Sequence, residues 1–346
     1  MPLKGISSPA IPYGSLIVVS GVNGFIGSHV ADQTLAAGFR VRGTTRSLRR
    51  NAWVWEYFKN KYGSEVFELL EVPDVTIDGA FDSALKGASG FVHVASDMSN
   101  STDPDVVIAN AVKGVLNALR AAKKEGAGMK RFVYTSSSTA ATLPKPEEVF
   151  SVTAESWNDE AVEMAWKTDA VEKDAFVVYA ASKTESERAV WNWARETEPD
   201  FVINTVLPNA NFGAILSPEN QGYPSTARWI KAVLDGHHDS IKHIPPQYYV
   251  NVQDTARLHV IALASPTVKD ERVFAFTEPF NFNDIIDVLR RQYPGDERWV
   301  EVPDQRQDLS KIEPIKRAEE LLEEAYGFRF TGLEQSVKDN VTELKT

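Results

Sequence analysis

Through residues 16–208 the chain alternates short blocks of consecutive apolar, often β-branched residues with longer blocks whose apolar positions recur every three or four. "SLIVVSG", "FRVRGTTR", "FELLEV", "GFVHVAS", "RFVYTSSS" and "FVINTVLP" are of the first kind and predict strands. "NGFIGSHVADQTLAAG", "DPDVVIANAVKGVLNALRAAKKEG" and "KTESERAVWNWARET" are of the second kind and predict helices, the first of them stopping at Gly38. Strands that alternate with helices are parallel strands joined by right-handed crossovers, so the expected fold is α/β, a Rossmann-type doubly wound parallel sheet. Beyond Pro208 the rhythm changes, with proline, asparagine and aromatic residues gathering in "NANFGAILSPENQGYPSTARW" and "HIPPQYYVN". The expected organisation is a sheet domain over residues 1–208, a return to it over 250–265, and a smaller C-terminal part formed mainly by 209–346. That part is expected over the carboxyl edge of the sheet, where open α/β folds bind ligands.

Composition narrows the function classes. The 346 residues carry a formal charge of −11, which disfavours wrapping a polyanion, so no nucleic-acid partner is expected. No apolar run reaches the length of a membrane span, and "MPLKGISSPAIPYGS" lacks the charged head and long apolar centre of a secretory signal. A cytoplasmic protein without a membrane partner is expected, as a monomer or homodimer. The absence of cysteine removes thiolate ligands and cysteine nucleophiles. His237, His238 and His243 cluster in "GHHDSIKH", but without acids in a ligand-like pattern they read as an exposed loop, and no metal is expected.

"GVNGFIG" joins the first strand to the first helix and spaces Gly21, Gly24 and Gly27 as G-x-x-G-x-x-G, with Asn23 inside the turn. Glycines there permit a sharp turn and close approach of a pyrophosphate, which the free amides at the helix N-terminus attract. A Walker A loop is excluded, since no Lys followed by Ser or Thr comes after Gly27. An NAD site places an acid after the second strand, but "VRGTTRSLRR" has none between Phe39 and Glu56. Arg46 is instead suited to grip a 2′-phosphate, so NADPH/NADP is the expected cofactor.

"YAASK" puts Tyr179 four residues before Lys183, on one face of a helix. An ammonium beside a phenol favours the phenolate and lowers its pKa, a device for trading a proton with an alkoxide. "TSSS" closes a strand at the edge where catalytic hydroxyls are displayed in this architecture, and Ser136, Ser137 or Ser138 can hydrogen bond a carbonyl oxygen there.

These three motifs, in this order, resemble the extended short-chain dehydrogenase/reductases. Within that family the chain is similar to fungal and yeast NADPH-dependent carbonyl reductases of the aldehyde, ketone and methylglyoxal type, relatives of the plant dihydroflavonol reductases. The likeness runs from about Gly14 to the C-terminal region and includes "RGTTRS", "KGVLNALRAA", "VLPN" and "PPQYYV". The resemblance implies Ser137 as the residue that polarises the carbonyl, Tyr179 as the acid, and Lys183 as the group that binds the nicotinamide ribose and lowers the phenol's pKa. It implies Phe25 and Ile26 at the pyrophosphate turn, Asp74 and Val75 near the adenine, Ala95 and Ser96 along the cofactor, and Pro208 with Asn209 near the nicotinamide. The chain departs from the pattern at Val22, where the family has alanine, and at the "EVPDV" end of the third strand.

For a small carbonyl substrate the candidate pocket residues are Asp97, Met98, Ser99, Phe212, Tyr223, Trp229 and Gln247, an aromatic and weakly charged set suited to an uncharged compound. The expected reaction is reduction of an aldehyde or ketone to the alcohol. A nucleotide-sugar epimerase or dehydratase of the same fold predicts an acid after the second strand and cations in the C-terminal part. A non-catalytic dinucleotide sensor has no need of the tyrosine and lysine. Both rivals therefore fit these residues less well.

Overall fold

A computed structural model of the chain describes residues 3–96, 101–167, 174–296 and 298–342. The first half runs β1 (Leu16–Ser20), α1 (Phe25–Ala36), β2 (Arg40–Thr45), α2 (Ala52–Tyr62), β3 (Phe67–Glu71), β4 (Gly90–His93), α3 (Pro104–Lys124), β5 (Arg131–Thr135), β6 (Ser151–Val152), α4 (Asp159–Trp166), α5 (Ala175–Thr197) and β7 (Val202–Pro208). The second runs β8 (Ala210–Phe212), α6 (Pro218–Gln221), α7 (Ala227–Leu234), β9 (Gln247–Asn251), α8 (Val252–Ala264), β10 (Arg272–Ala275), β11 (Pro279–Phe280), α9 (Phe282–Gln292), β12 (Lys311–Ile312), α10 (Ile315–Tyr326) and α11 (Leu333–Val341).

Seven strands form one parallel sheet in the order β10-β7-β5-β4-β1-β2-β3. Every residue of β1, β4 and β5 is buried, which is why these segments read as continuous apolar blocks rather than alternating ones. One face of the sheet is covered by α1, α8 and α10, through residues such as Val30, Leu35, Leu258, Ile261 and Leu322. The other is covered by α3 and α5, with Val115, Leu119 and Val190 packed on Phe91 and Phe132. The strand order reverses between β1 and β4, and ligands of such sheets bind in the crevice that opens there.

The helices that flank this crevice start where their sequences supply a cap. Asp103 accepts the Asp105 amide ahead of Pro104 in α3, and Asp174 accepts the Phe176 amide at 2.7 Å to begin α5. Tyr179 and Lys183 therefore lie within the first turns of α5, at the carboxyl edge of the sheet. α1 is different, because its N-cap is Gly24 and no side chain satisfies its first amides.

The second part is a three-stranded sheet, β11-β9-β8, wrapped by α7, α9 and α11 around an aromatic core of Phe212, Tyr249, Phe280, Phe282 and Trp299. The chain passes between the parts repeatedly. Besides α8, strand β10 returns to add an edge to the main sheet and α10 packs on α8 and β10. β10 is a strand that hydrophobic patterning does not single out, being four residues long and completed only by pairing with β7. Among the described residues, no helix is long and apolar enough to cross a membrane.

Candidate active site

Gly21 adopts φ +68°, the left-handed region that favours glycine. A Cβ on Gly27 would lie 2.2 Å from the Gly21 carbonyl oxygen, a backbone contact that no side-chain movement relieves, so the helix closes onto the strand only with glycine there. Ser20 Oγ accepts the amides of Val94 and Ala95 at 2.9 and 3.0 Å and meets His93 Nδ1 at 3.0 Å, fastening the ends of β1 and β4 on either side of the crevice. With the uncapped amides of α1 facing this turn, the residues fit a dinucleotide pyrophosphate. Phe25 is buried against Ile215, Ala227 and Val252, with Ile26 partly buried beside it, so this pair anchors the turn to the second part.

Val22 is accommodated by a neighbour. It has no exposed surface, and a Cβ on Gly43 of β2 would stand 2.7 Å from its Cγ2 atom, so the missing side chain at Gly43 makes room for the extra methyl groups. Beyond β2, Thr45 Oγ1 donates to Asn23 Oδ1 at 3.1 Å and accepts Asn51 Nδ2 at 2.7 Å, which orients the turn toward the loop that begins at Arg46. Arg46 is exposed and has no ion-pair partner among the described residues. The nearby acid that does reach this loop, Glu71 of β3, is engaged by the Leu48 amide at 2.7 Å. Asp74 is exposed and held by the amide and hydroxyl of Thr76, whose hydrogen bonds lower its pKa. Asn117 of α3 donates to the carbonyls of Val75 and Ile77, fixing that loop beside the crevice. Ala95 backs the glycine turn, Ser96 is exposed, and Pro208 ends β7 buried, with the Asn209 amide bound to Ala275 O.

On the opposite wall the three serines part company. Ser136 donates to Glu187 Oε2 at 2.7 Å, Ser138 begins a buried 3₁₀ turn, and Ser137 Oγ accepts the amide and hydroxyl of Thr139 at 3.2 and 3.0 Å. Ser137 also lies near enough to the Tyr179 phenol to lower its pKa. The alternation of an extended strand end explains the split, because consecutive side chains face opposite ways. Lys183 is buried, its Nζ donating to Thr135 O at 3.0 Å and lying 5.4 Å from the centroid of the Tyr134 ring. Thr135 Oγ1 in turn meets His259 Nε2 at 2.7 Å.

Burial pushes the Lys183 ammonium down to about 8, opposed by the Glu187 charge. The expected lowering of the Tyr179 pKa is not what the structure shows. Burial raises it, and Ser137 nearby only partly offsets that rise, so the phenol is protonated at neutral pH. His93 is held down to about 3 by burial and by the Lys183 charge, and stays neutral.

Most of the expected substrate residues that are described gather in or beside the core of the second part. Asp97, Met98 and Ser99 lie outside the described residues. Phe212 has no exposed surface and its ring packs against Trp229, Tyr249 and Phe280, so it belongs to the core of the second part and not to a pocket wall. Trp229 is partly buried in the same core, edge-on to Phe282 as well. Gln247 is buried and donates to Pro245 O at 3.2 Å. Tyr223 is partly buried beside Phe25, Ile215 and Ala227, with the Lys231 ammonium 5.3 Å from its ring centroid.

The model of the NAD dependent epimerase/dehydratase family matches residues 17–275, a span that holds the glycine turn, the serine strand end and the Tyr179–Lys183 pair. The chain belongs to this family. Within the epimerase/dehydratase family it is 39% identical over 340 residues to "Aldehyde reductase 2" of Sporidiobolus salmonicolor, covering 97% of this chain and 98% of that one. It is 39% identical over 336 residues to "Ketoreductase adrE" of Penicillium rubens, covering 96% and 97%. The fold is similar to that of Gre2 from Candida albicans, solved in complex with NADPH, with a TM-score of 0.80, 26% identity and coverage of 97% and 100% of the two chains. It is also similar to the yeast methylglyoxal/isovaleraldehyde reductase, with a TM-score of 0.81, 24% identity and coverage of 94% and 97%.

Two features of this epimerase/dehydratase chain escape motif reading. Gln221 Nε2 donates to Asn23 O, Gly24 O and Ser28 Oγ at 3.2–3.3 Å, so a residue of the second part holds the glycine turn directly. No local pattern marks it. Glu187 is the other, and its position one helical turn after Lys183 in "YAASKTESE" is the signal that spacing offers for it.

Proposed function

We propose that this protein is an NADPH-dependent carbonyl reductase that converts aldehydes and ketones to alcohols, with Tyr179 as proton donor. The observation that carries this reading is the Tyr179 phenol, protonated and beside Ser137 at the end of β5, with the buried Lys183 ammonium one helical turn along α5. The cofactor, when bound, supplies a hydride to the carbonyl carbon. Tyr179 supplies the proton that the oxygen then requires, and Ser137 hydrogen bonds the same oxygen, so that developing negative charge meets two donors. Lys183 stabilises the phenolate left behind and also holds the nicotinamide ribose.

The turn of Gly21, Asn23, Gly24 and Gly27 receives the pyrophosphate. Arg46, exposed and unpaired, receives the 2′-phosphate that distinguishes NADPH from NADH. Asp74 and Val75 would lie along the adenine, and Ala95, Ser96, Pro208 and Asn209 would line the nicotinamide half. Residues 1–208 with the α8 and β10 returns act as the cofactor part, and the aromatic-cored remainder acts as the substrate part. The relatives named aldehyde reductase and ketoreductase support the reaction class. The protein is assigned to the cytoplasm, as a monomer or homodimer.

The test is oxidation of NADPH and of NADH, followed by absorbance, with aryl ketones, β-keto esters, aldehydes and methylglyoxal. Carbonyl-dependent loss of NADPH is expected, with NADH the poorer donor. Tight NADPH binding without turnover across the panel would overturn the reductase reading in favour of a sensor.

A further inference from the structure

Glu187 has no exposed surface, although a carboxylate is costly to take out of water without partners. It is surrounded by donors. Thr205 Oγ1 and Arg272 Nε donate to Oε1 at 2.7 and 2.8 Å, and Ser136 Oγ and Arg272 Nη2 donate to Oε2 at 2.7 and 3.2 Å. Trp191 Nε1 adds a contact to Oε1 at 3.3 Å. Arg272 is itself fixed, since its Nη1 donates to Ala154 O and Ser156 O at 2.7 Å and its guanidinium lies 4.1 Å from the Trp157 ring centroid. The carboxylate thus gathers β5, β7, β10 and the segment before α4 onto α5.

Two of these relations reach the reacting groups. Ser136 sits between Thr135, whose carbonyl binds the Lys183 ammonium, and Ser137, which meets Tyr179. Drawing Ser136 toward Glu187 directs the next side chain to the opposite face, where Tyr179 stands. The second relation is electrostatic. The ionisable groups whose charge or ring bears on Lys183 are Glu187 one turn on along its own helix, His93 from β4 and Tyr134 from β5. His93 is neutral, and burial keeps the Tyr134 phenol protonated, so Glu187 is the one negative charge among them. The Arg272 cation on β10 moderates that charge from the far side.

We propose that Glu187 is a positioning residue for the reductase site: by holding Ser136 it turns Ser137 toward Tyr179, and it supplies the counter-charge for the buried Lys183 ammonium. The inference rests on the carbonyl-reductase reading given above. Its test is kcat against pH, at saturating NADPH and carbonyl compound, for the unmodified enzyme and three variants.

In the unmodified enzyme kcat is expected to fall as pH rises through about 8, where Lys183 loses its proton. Glu187→Gln leaves the Arg272 cation unopposed and moves this limb to lower pH by about two pH units, the size expected for a charge one helical turn away at an effective dielectric constant of about 20. Arg272→Met leaves the Glu187 charge unopposed and moves the limb to higher pH. Ser136→Ala keeps both charges, lowers kcat on the order of tenfold through the loosened Ser137, and leaves the limb and the KM for NADPH in place.

A network with only a scaffolding role would lower kcat in all three without opposite displacements of the limb. A limb that stays fixed, or moves the same way in both charge variants, overturns the electrostatic role, and an unchanged kcat in Ser136→Ala overturns the anchoring role. Thermal melting confirms that each variant is folded, and since each charge variant predicts its own signed displacement, one folded variant decides. Lack of any carbonyl-dependent NADPH oxidation by the unmodified enzyme would overturn the reductase reading itself, a separate result.

Discussion

At the end of β5 the buried side chains are polar and each has a named partner: Thr135 with His259, Ser136 with Glu187, Ser137 with Thr139 and Tyr179. In the core of the second part the buried side chains are rings, Phe212 stacked on Tyr249 and edge-on to Phe280, with Trp229 edge-on to Phe282. The first region is held by directional bonds that tolerate one arrangement, and an unsatisfied member is costly. The second is held by volume, which accepts other apolar fillings at modest cost. The two regions therefore rest on different physical grounds, and the filling of the second is freer to drift than the bonding of the first.

The contrast breaks if a reacting group on the polar wall proves dispensable. Tyr179→Phe removes the proton donor without emptying volume, so kcat is expected to fall by about 10²–10⁴-fold, with the melting temperature nearly unchanged. Turnover close to that of the unmodified enzyme would remove Tyr179 from its role. Phe212→Ala probes the other side. Loss of a fully buried ring is expected to lower stability by about 3–5 kcal/mol in denaturant unfolding, with catalysis following the folded fraction. Unchanged stability with an altered substrate KM would return Phe212 to the pocket wall. Arg46→Asp sharpens the contrast with an exposed, solitary charge. It should weaken NADPH by roughly 10–100-fold in KM while sparing NADH and stability, on the scale of a lost charge-assisted hydrogen bond.

The same division between local and distant determinants governs which parts of the molecule are legible in its sequence. β1, β4, β5 and β7 are legible as apolar runs, because strands covered on both faces leave an unmistakable block, while β2 and β3, toward the edge, are signalled by Val41 and by the apolar residues of "FELLEV". β10 is not singled out, since "RVFA" follows a charged, turn-rich stretch and is fixed as a sheet edge only by pairing with β7. Tyr179, Lys183 and the glycine turn are legible because each function requires a fixed local spacing. Phe212 reads as a pocket residue but is fully buried among rings, since a side chain in an irregular stretch looks alike whether it faces a ligand or a core. The direction of the Tyr179 pKa goes astray for a related reason. Spacing reveals a neighbouring charge but not how deeply the phenol is desolvated. Gln221 is invisible because its partners, Asn23, Gly24 and Ser28, are nearly two hundred positions away.

Val22 lodged against Gly43 sets an order on how this sequence can drift. Replacing Gly43 first drives a Cβ to within 2.7 Å of Val22 and 3.0 Å of Phe67, inside the packed core behind the cofactor turn. Replacing Val22 by alanine first removes two methyl groups, at roughly 1–2 kcal/mol, which a domain with a typical margin of about 5–15 kcal/mol survives. Only from that second state is a side chain at position 43 admissible. The two positions therefore form a ratchet, in which a lineage passes from valine–glycine to a pair of small side chains by one door and finds the other shut.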